Sequence, residues 1–402
     1  MERLKVVLKQ EKVYIEFMGC SQRSLDARRF EDYFIKNNFA VVDHPKSAEH
    51  ILFISCACRN LDENFAIKRI EELKRYRGRL ILGGCLKAIN KERLEKVFQG
   101  PVVETANVYE MERIFPHFKT KLSETPDANR LYPRNKLQIL RLYLHSLRPG
   151  LNFFRSVKDY LGRKNTTKNW YVRVSWGCVK EKCTYCSIWK AIGELKSKRL
   201  EDCVKEFNEG IRKAYKDIFI TADNLGAYGL DINLTFPDLL RDIVKIKGDF
   251  NIHLENLHPC WIIKYLEEII LLLRPGRITA ALCPLQSGND RVLSLMNRRH
   301  TIAQAKESFL RIREACPSIK LHTQIIIGFP TETELEFEET LNSIKEIGFN
   351  LVLLHVYSRR PNLQDRHLID QEISPGVINR RMEKAEKFLN ENKITHFIYS
   401  SK

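Results

Sequence analysis

No apolar run in the chain approaches the ~18 residues needed to cross a bilayer, and Met1–Lys12 is charged and has no apolar centre of the kind an export signal carries. Low-complexity tracts are also missing. Acids are in short supply, with 50 Asp and Glu against 67 Lys and Arg, for a formal charge of +17 and a pI near 9.3. The first two absences speak against a membrane-spanning or exported protein, and the third against a disordered one, so a globular cytoplasmic protein is expected. Its 402 residues, 44% hydrophobic, are enough for two or three domains that each bury a core. The cationic excess favours a polyanionic partner through counterion release; the alternative is a solvated, lysine-rich surface with no partner.

Eleven cysteines are present. Disulfides are kept reduced inside cells, so ligand-like spacing points to metal or catalytic use. Over the first ~115 residues, strand-like runs at Val13–Phe17, His50–Ser55 and Arg79–Gly83 alternate with helical periods at Leu25–Asn37 and Glu63–Tyr76. That order predicts a parallel sheet wrapped by helices. Cys20, Cys56 and Cys85 each follow one of the strands. In a parallel sheet the carboxyl ends share one edge, so the three thiols are expected to meet there. Taken singly, each would read as a small core residue.

A second α/β region begins near Lys168. Strands are expected at Trp170–Ser175, Asp217–Ala222, Asn251–Glu255, Arg277–Leu285, Lys320–Gly328 and Leu351–Tyr357, with helical stretches after them and a last helix near Val377–Asn390. Six such units suggest a partial (β/α)6 barrel, whose functional groups sit on the loops after the strands. The first loop contains Cys178, Cys183 and Cys186. Three cysteines this close can hold three irons of a [4Fe-4S] cluster and leave one open to another ligand. A structural zinc site is the alternative, but it needs a fourth ligand, and no His or Cys occurs in the ten residues after Cys186.

At this point the chain resembles the radical SAM (S-adenosylmethionine) superfamily, which has three cysteines after the first barrel strand and an aromatic residue before the last, here Tyr185. The family's usual spacing is three residues and then two; here it is four and then two, as in the radical SAM part of the Elongator catalytic subunit. A closer resemblance, from about residue 11 to residue 390, is to the methylthiotransferases. Gly19-Cys20, Ser55-Cys56 and Gly84-Cys85 match the cysteine motifs of their first domain. Thr221–Asp231 looks like the second-strand motif of the branch acting on threonylcarbamoyladenosine in tRNA. Leu285–Asp290 with Met296-Asn297-Arg298 is similar to a third motif, and Ile327–Thr333 with Phe337–Thr340 to a fourth.

The resemblance implies an α/β fold of three parts: residues 1–118 with an auxiliary cluster, a basic linker over 119–167, and a radical SAM domain over 168–402. It implies two [4Fe-4S] clusters, on Cys178, Cys183 and Cys186 and on Cys20, Cys56 and Cys85. The first cluster would bind SAM, whose one-electron cleavage gives a 5′-deoxyadenosyl radical that abstracts hydrogen from an unactivated C–H bond. The second would supply sulfur, and a second SAM would methylate it. Tyr185, Asp223, Asn224 and Gln286 are candidates to hold SAM; for the strand-end residues among them, structural capping is the other reading. An electron donor such as flavodoxin or ferredoxin is implied, and no membrane.

The chain also departs from the family. Arg23 stands where Asn is usual, and Tyr357–Leu363 replaces a Tyr-Ser-x-Arg-x-Gly-Thr loop. The small β-barrel, the TRAM domain, that ends these enzymes has no counterpart before Lys402. In its place, Arg134–Lys168 has nine Lys or Arg, one acid and interleaved aromatics. Arg155, Lys158, Arg163 and Lys164, with Phe153 and Phe154, suit single-stranded RNA. Leu137, Leu140, Leu144 and Leu147, at helical spacing, equally suit a packed linker helix. The substrate is therefore expected to be a tRNA nucleoside, with a peptide or small metabolite as the alternative and a non-enzymatic iron-sulfur RNA-binding protein as a third. Cys58, Cys203, Cys260, Cys283 and Cys316 match no ligand position and are expected to pack.

Overall fold

The computed structural model describes residues 10–133, 168–180, 182–361, 363 and 371–399. The chain divides into two compact units, one within residues 1–161 and the other formed mainly by residues 162–402. Arg155, Lys158, Arg163, Lys164, Phe153 and Phe154 lie outside the described residues.

The first unit is built on a five-stranded, wholly parallel sheet: β1 (Lys12–Phe17), β2 (Ala40–Val42), β3 (His50–Ser55), β4 (Arg79–Gly84) and β5 (Val102–Glu104), in the spatial order β2-β1-β3-β4-β5. β1, β3 and β4 are buried almost end to end, because helices α1 (Ser21–Lys36) and α2 (Asn60–Leu73) are crossovers between parallel strands and pack on the sheet. This order reverses between β1 and β3, and in such sheets the crevice beyond the carboxyl ends at that reversal is where ligands bind. The expected boundary at residue 118 falls too early. Phe118, Leu122 and Tyr132 pack into this unit's core, Arg29 donates to the carbonyls of Leu122 and Thr125, and Tyr132 donates its hydroxyl to the Ile15 carbonyl.

The second unit contains an eight-stranded sheet: β6 (Asn169–Trp176), β7 (Lys196–Ser197), β8 (Asp217–Ala222), β9 (Asn251–Leu254), β10 (Ile278–Leu282), β11 (Lys320–Ile327), β12 (Leu351–Val356) and β13 (Thr395–Tyr399). The order is β13-β12-β11-β10-β9-β8-β6-β7, parallel except for the β6–β7 pair. All six expected strands are present. β2, β5, β7 and β13 were not expected: three of them have three residues or fewer, too few to display a period. Along β11 and β12 buried and half-exposed residues alternate, so one face packs on helices while the other stays partly open. On β6, β8 and β9 Tyr171, Phe219 and His253 stack in a ladder, with ring centroids 4.8 and 4.4 Å apart.

Candidate functional site

In the first unit the carboxyl ends of β1, β3 and β4 deliver Cys20, Cys56 and Cys85 to one edge. Cys20 occupies the N-cap of α1 and is exposed, while Cys56 and Cys85 are buried. Cys85 senses both other thiols electrostatically, so the three form one neighbourhood, as the strand order requires. Gly84 holds φ at +93°, and a Cβ there would lie 2.1 Å from the Ser55 carbonyl oxygen. Only glycine lets the chain turn there and still place the Cys85 N–H on that same carbonyl, at 3.1 Å. Burial pushes the Cys85 thiol up to about 12, opposed by the nearby Arg23 guanidinium. The hydrogen bond that the Cys56 thiol donates to Cys58 Sγ, together with burial, holds it well above its usual range. Without metal these thiols are neutral, and a bound cation must displace their protons.

The second candidate site starts from β6. Gly177, at φ +75°, lets the chain pass against the carbonyl of Glu194, 1.9 Å from where a Cβ would stand. Its N–H donates to Asp223 at 3.0 Å. Cys178 follows, its N–H on Gly193 O at 3.2 Å and its Sγ 3.6 Å from the Asn224 amide. Trp261 donates to the other end of that amide at 2.9 Å. Farther along the loop, Thr184 is pinned to the Leu295 carbonyl by its hydroxyl (2.8 Å) and to the Met296 carbonyl by its N–H. Asn297 donates to the Lys182 carbonyl at 2.7 Å. Arg298 is buried, reaches Cys183 Sγ at 3.6 Å and the Tyr185 hydroxyl at 3.4 Å, and donates to the Pro284 carbonyl. Cys178 and Cys186 each sense Cys183, and burial pushes the Cys186 thiol up to about 12. The extra residue between Cys178 and Cys183 therefore does not separate the three thiols.

Of the residues expected to touch SAM, Asp223 and Asn224 act here as braces, one on the Gly177 amide and the other between Cys178 and Trp261. Tyr185 packs beside Val292, Met296, Ile326 and Phe329. Gln286 differs from all of these. It holds a left-handed φ of +74° and is fixed by backbone bonds to Gln324 and Ile326 on β11. Its side-chain oxygen is buried and has no partner among the described residues. A strained residue carrying an orphaned buried acceptor suits a ligand that donates to it. The turn that places it is clasped from the helix Glu334–Ile347. Thr340 accepts from the Gly288 N–H at 2.9 Å, and Glu339 accepts from Asn289 at 2.6 Å. Arg298, Trp261 and Thr184 had no role assigned from sequence; the signal for Arg298 was its place in Met296-Asn297-Arg298.

Three thiols on the segments after the strands of each unit, all buried or half-buried except the exposed Cys20, fit an iron-sulfur cluster, a soft metal centre on soft donors. Cys203, Cys283 and Cys316 are core residues, as expected. Cys58 is not one: it stands against Cys56.

Residues 174–344 match the Radical SAM superfamily, and residues 12–103 match Uncharacterized protein family UPF0004. Among curated proteins, a probable threonylcarbamoyladenosine tRNA methylthiotransferase of Archaeoglobus fulgidus is 30% identical over 93% of this chain and 82% of its own length. A tRNA-2-methylthio-N(6)-dimethylallyladenosine synthase of Thermodesulfovibrio yellowstonii is 28% identical over 96% and 84%. The ribosomal protein uS12 methylthiotransferase RimO of Thermotoga maritima is 28% identical over 96% and 90%. The radical S-adenosylmethionine methyltransferase TsrM of Kitasatospora setae shares the fold, with a TM-score of 0.60 and 14% identity over 89% of this chain and 77% of that one. The two units thus define a radical SAM enzyme. The chain belongs to the radical SAM methylthiotransferase family. No helix among the described residues is long and apolar enough to cross a membrane.

Proposed function

We propose that this enzyme inserts a methylthio group into an unactivated C–H bond of a tRNA nucleoside of the threonylcarbamoyladenosine type. Cys178, Cys183 and Cys186 would hold the cluster that binds SAM, and Cys20, Cys56 and Cys85 the auxiliary one. When bound, the two clusters and SAM supply one-electron SAM cleavage, hydrogen abstraction and the sulfur. The chain's own residues do the positioning. Arg298 keeps a positive charge 3.6 Å from Cys183 Sγ. Gly177 and Asp223 fix the loop that carries Cys178, and the Gln286 oxygen is offered to a donor on the bound cofactor. The observation that carries the reading is the gathering of two three-thiol sets, one in each unit, each beyond the carboxyl ends of parallel strands.

Identity alone does not choose the substrate, since relatives named for two tRNA nucleosides and for a ribosomal protein are about equally similar. The tRNA nucleoside is preferred because Thr221–Asp231 resembles the motif of that branch and because the basic segment Arg134–Lys168 suits a polyanion. Work in the cytoplasm and an electron donor of the flavodoxin or ferredoxin kind complete the proposal.

The test is mass spectrometry of tRNA nucleosides, proteins and small metabolites from cells with and without the gene, together with iron counts on the reconstituted protein. Two cluster sites predict about eight irons per chain. Replacing Cys178, Cys183 and Cys186 with Ala should remove roughly half of them and abolish 5′-deoxyadenosine formation. Replacing Cys20, Cys56 and Cys85 should preserve SAM cleavage and abolish sulfur transfer. Unchanged tRNA nucleosides beside an altered protein or metabolite would move the substrate assignment; SAM cleavage by the first variant would overturn the reading.

A further inference from the structure

Cys58 was expected to pack, and instead it joins a compact set of donor atoms. Its Sγ lies 3.4 Å from Cys56 Sγ and 3.1 Å from Asp62 Oδ2. The three donor atoms all lie within 4.8 Å of one another, and no other group of three His, Cys, Asp or Glu among the described residues meets that condition. The local fold explains the approach. β3 ends at Ser55, the single residue Ala57 separates Cys56 from Cys58, and α2 begins at Asn60, so Asp62 in the first turn returns over Cys58. Its neighbour Glu63 is engaged elsewhere, accepting from Asn90 and Arg93.

These separations decide what the set can hold. The irons of a cubane are distinct, and its thiolates are spread over separate corners. One ion draws its donors to a common point. With metal–sulfur bonds of about 2.3 Å and metal–oxygen bonds of about 2.1 Å at tetrahedral angles, two thiolates on one ion stand about 3.8 Å apart, and a thiolate and a carboxylate oxygen about 3.6 Å. The observed 3.4 and 3.1 Å differ from these by a few tenths of an ångström, as expected for thiols still hydrogen-bonded to the groups beside which they would ligate.

We propose that Cys56, Cys58 and Asp62 form a site for a single thiophilic divalent cation, of the zinc or ferrous class, in the cluster-free protein. Binding replaces two S–H bonds with two metal–sulfur bonds, releases two protons to solvent and involves no change of oxidation state. Water completes the tetrahedron. The site stands apart from the sulfur-transfer reading; its consequence rests on that reading, because Cys56 is shared and the single ion and the auxiliary cluster exclude each other.

The experiment is anaerobic titration of the full-length apoprotein with Co2+ in a background where Cys178, Cys183 and Cys186 are Ala. One Co2+ should bind per chain, with an intense near-ultraviolet charge-transfer band from two thiolates and release of two protons. Cys58→Ser should weaken binding by on the order of tenfold or more and halve the band. Asp62→Asn should weaken binding and leave the band intact, and Cys20→Ala and Cys85→Ala should change neither. If the background variant misfolds by circular dichroism, the same comparison is made in the otherwise unaltered chain as the difference in Co2+ bound with and without Cys58→Ser. Loss of the band in Cys20→Ala or Cys85→Ala, with Cys58→Ser unaffected, would put the ion on the cluster ligands and overturn the proposal. So would loss of cluster iron in Cys58→Ser, since Cys58 would then be a cluster ligand. A further arm preloads the apoprotein, all its cysteines present, with Zn2+: roughly half of the iron uptake should be blocked, and Cys58→Ser should relieve the block. Failure to find methylthiolated tRNA with these titrations as expected would sink the substrate reading and leave the ion site standing.

Discussion

Gly177→Ala tests how the loop that carries Cys178 is made. The native φ of +75° costs an L-residue about 1–2 kcal/mol. The new methyl group would stand 1.9 Å from the Glu194 carbonyl oxygen and 2.4 Å from its carbon, where real contacts begin above 3 Å, so backbone on one side must move. That movement endangers the 3.0 Å bond from the Gly177 N–H to Asp223, a bond to a charged acceptor worth about 1.5–3 kcal/mol. The sum is about 2.5–5 kcal/mol, a large part of the ~5–15 kcal/mol that holds an ordinary domain. Gly276→Ala is the control: φ is +72°, but nothing lies within 4 Å of its Cβ position, so it should lose only the φ term of about 1–2 kcal/mol. Both positions and all four tryptophans, Trp170, Trp176, Trp189 and Trp261, belong to the second unit, so urea unfolding followed by fluorescence compares the two variants through one transition. Gly177→Ala should also retain about half of the reconstituted iron. Equal destabilisation of the two variants, to within about 0.5 kcal/mol, would refute the close approach to Glu194 and the account of the loop built on it.

Thr340→Val removes the hydroxyl that accepts from the buried Gly288 N–H. It should lower unfolding stability by about 1–3 kcal/mol and weaken SAM binding, read by equilibrium dialysis, because the clasped turn places Gln286. Glu336 is held down to about 2, chiefly by the Arg291 guanidinium and then by the Thr333 N–H and hydroxyl. A depressed carboxyl stabilises the fold above its unfolded pKa of about 4.3. That contribution should be complete at neutral pH and disappear as pH falls from about 4.5 toward 2. Because Arg291 is half exposed, it should be about 1 kcal/mol, and Glu336→Gln should flatten that part of the acid-unfolding curve. Neutralising Arg155, Lys158, Arg163 and Lys164 should weaken tRNA binding and reduce the log-log salt slope by about 0.7–0.9 for each phosphate that is no longer neutralised. Phe153→Ala and Phe154→Ala should each weaken binding by up to about 1–3 kcal/mol without changing that slope. Unchanged affinity of the four-charge variant at low salt would favour the peptide or small-metabolite substrate.

The two sets of three cysteines were legible in the sequence because each follows a strand with clear apolar patterning, and a parallel sheet sends all its carboxyl ends to one edge whatever the details of packing. The six principal strands of the second unit were legible for the same reason: apolar runs of four to eight residues bounded by polar or glycine positions register without tertiary information. β2, β5 and β7 were not, since a strand of two or three residues has no period. β13 needed β12 as its neighbour before Thr395–Tyr399 could be read as a strand. What Asp223 and Asn224 touch was decided by tertiary structure alone, because a polar residue at a strand end can face a cofactor or brace the next loop, and only the positions of Gly177, Cys178 and Trp261 choose between them. The same holds for Cys58. Its spacing from Cys56 is in the sequence, but whether its thiol enters the core or turns onto Cys56 and Asp62 depends on where α2 begins and how its first turn packs back on the end of β3.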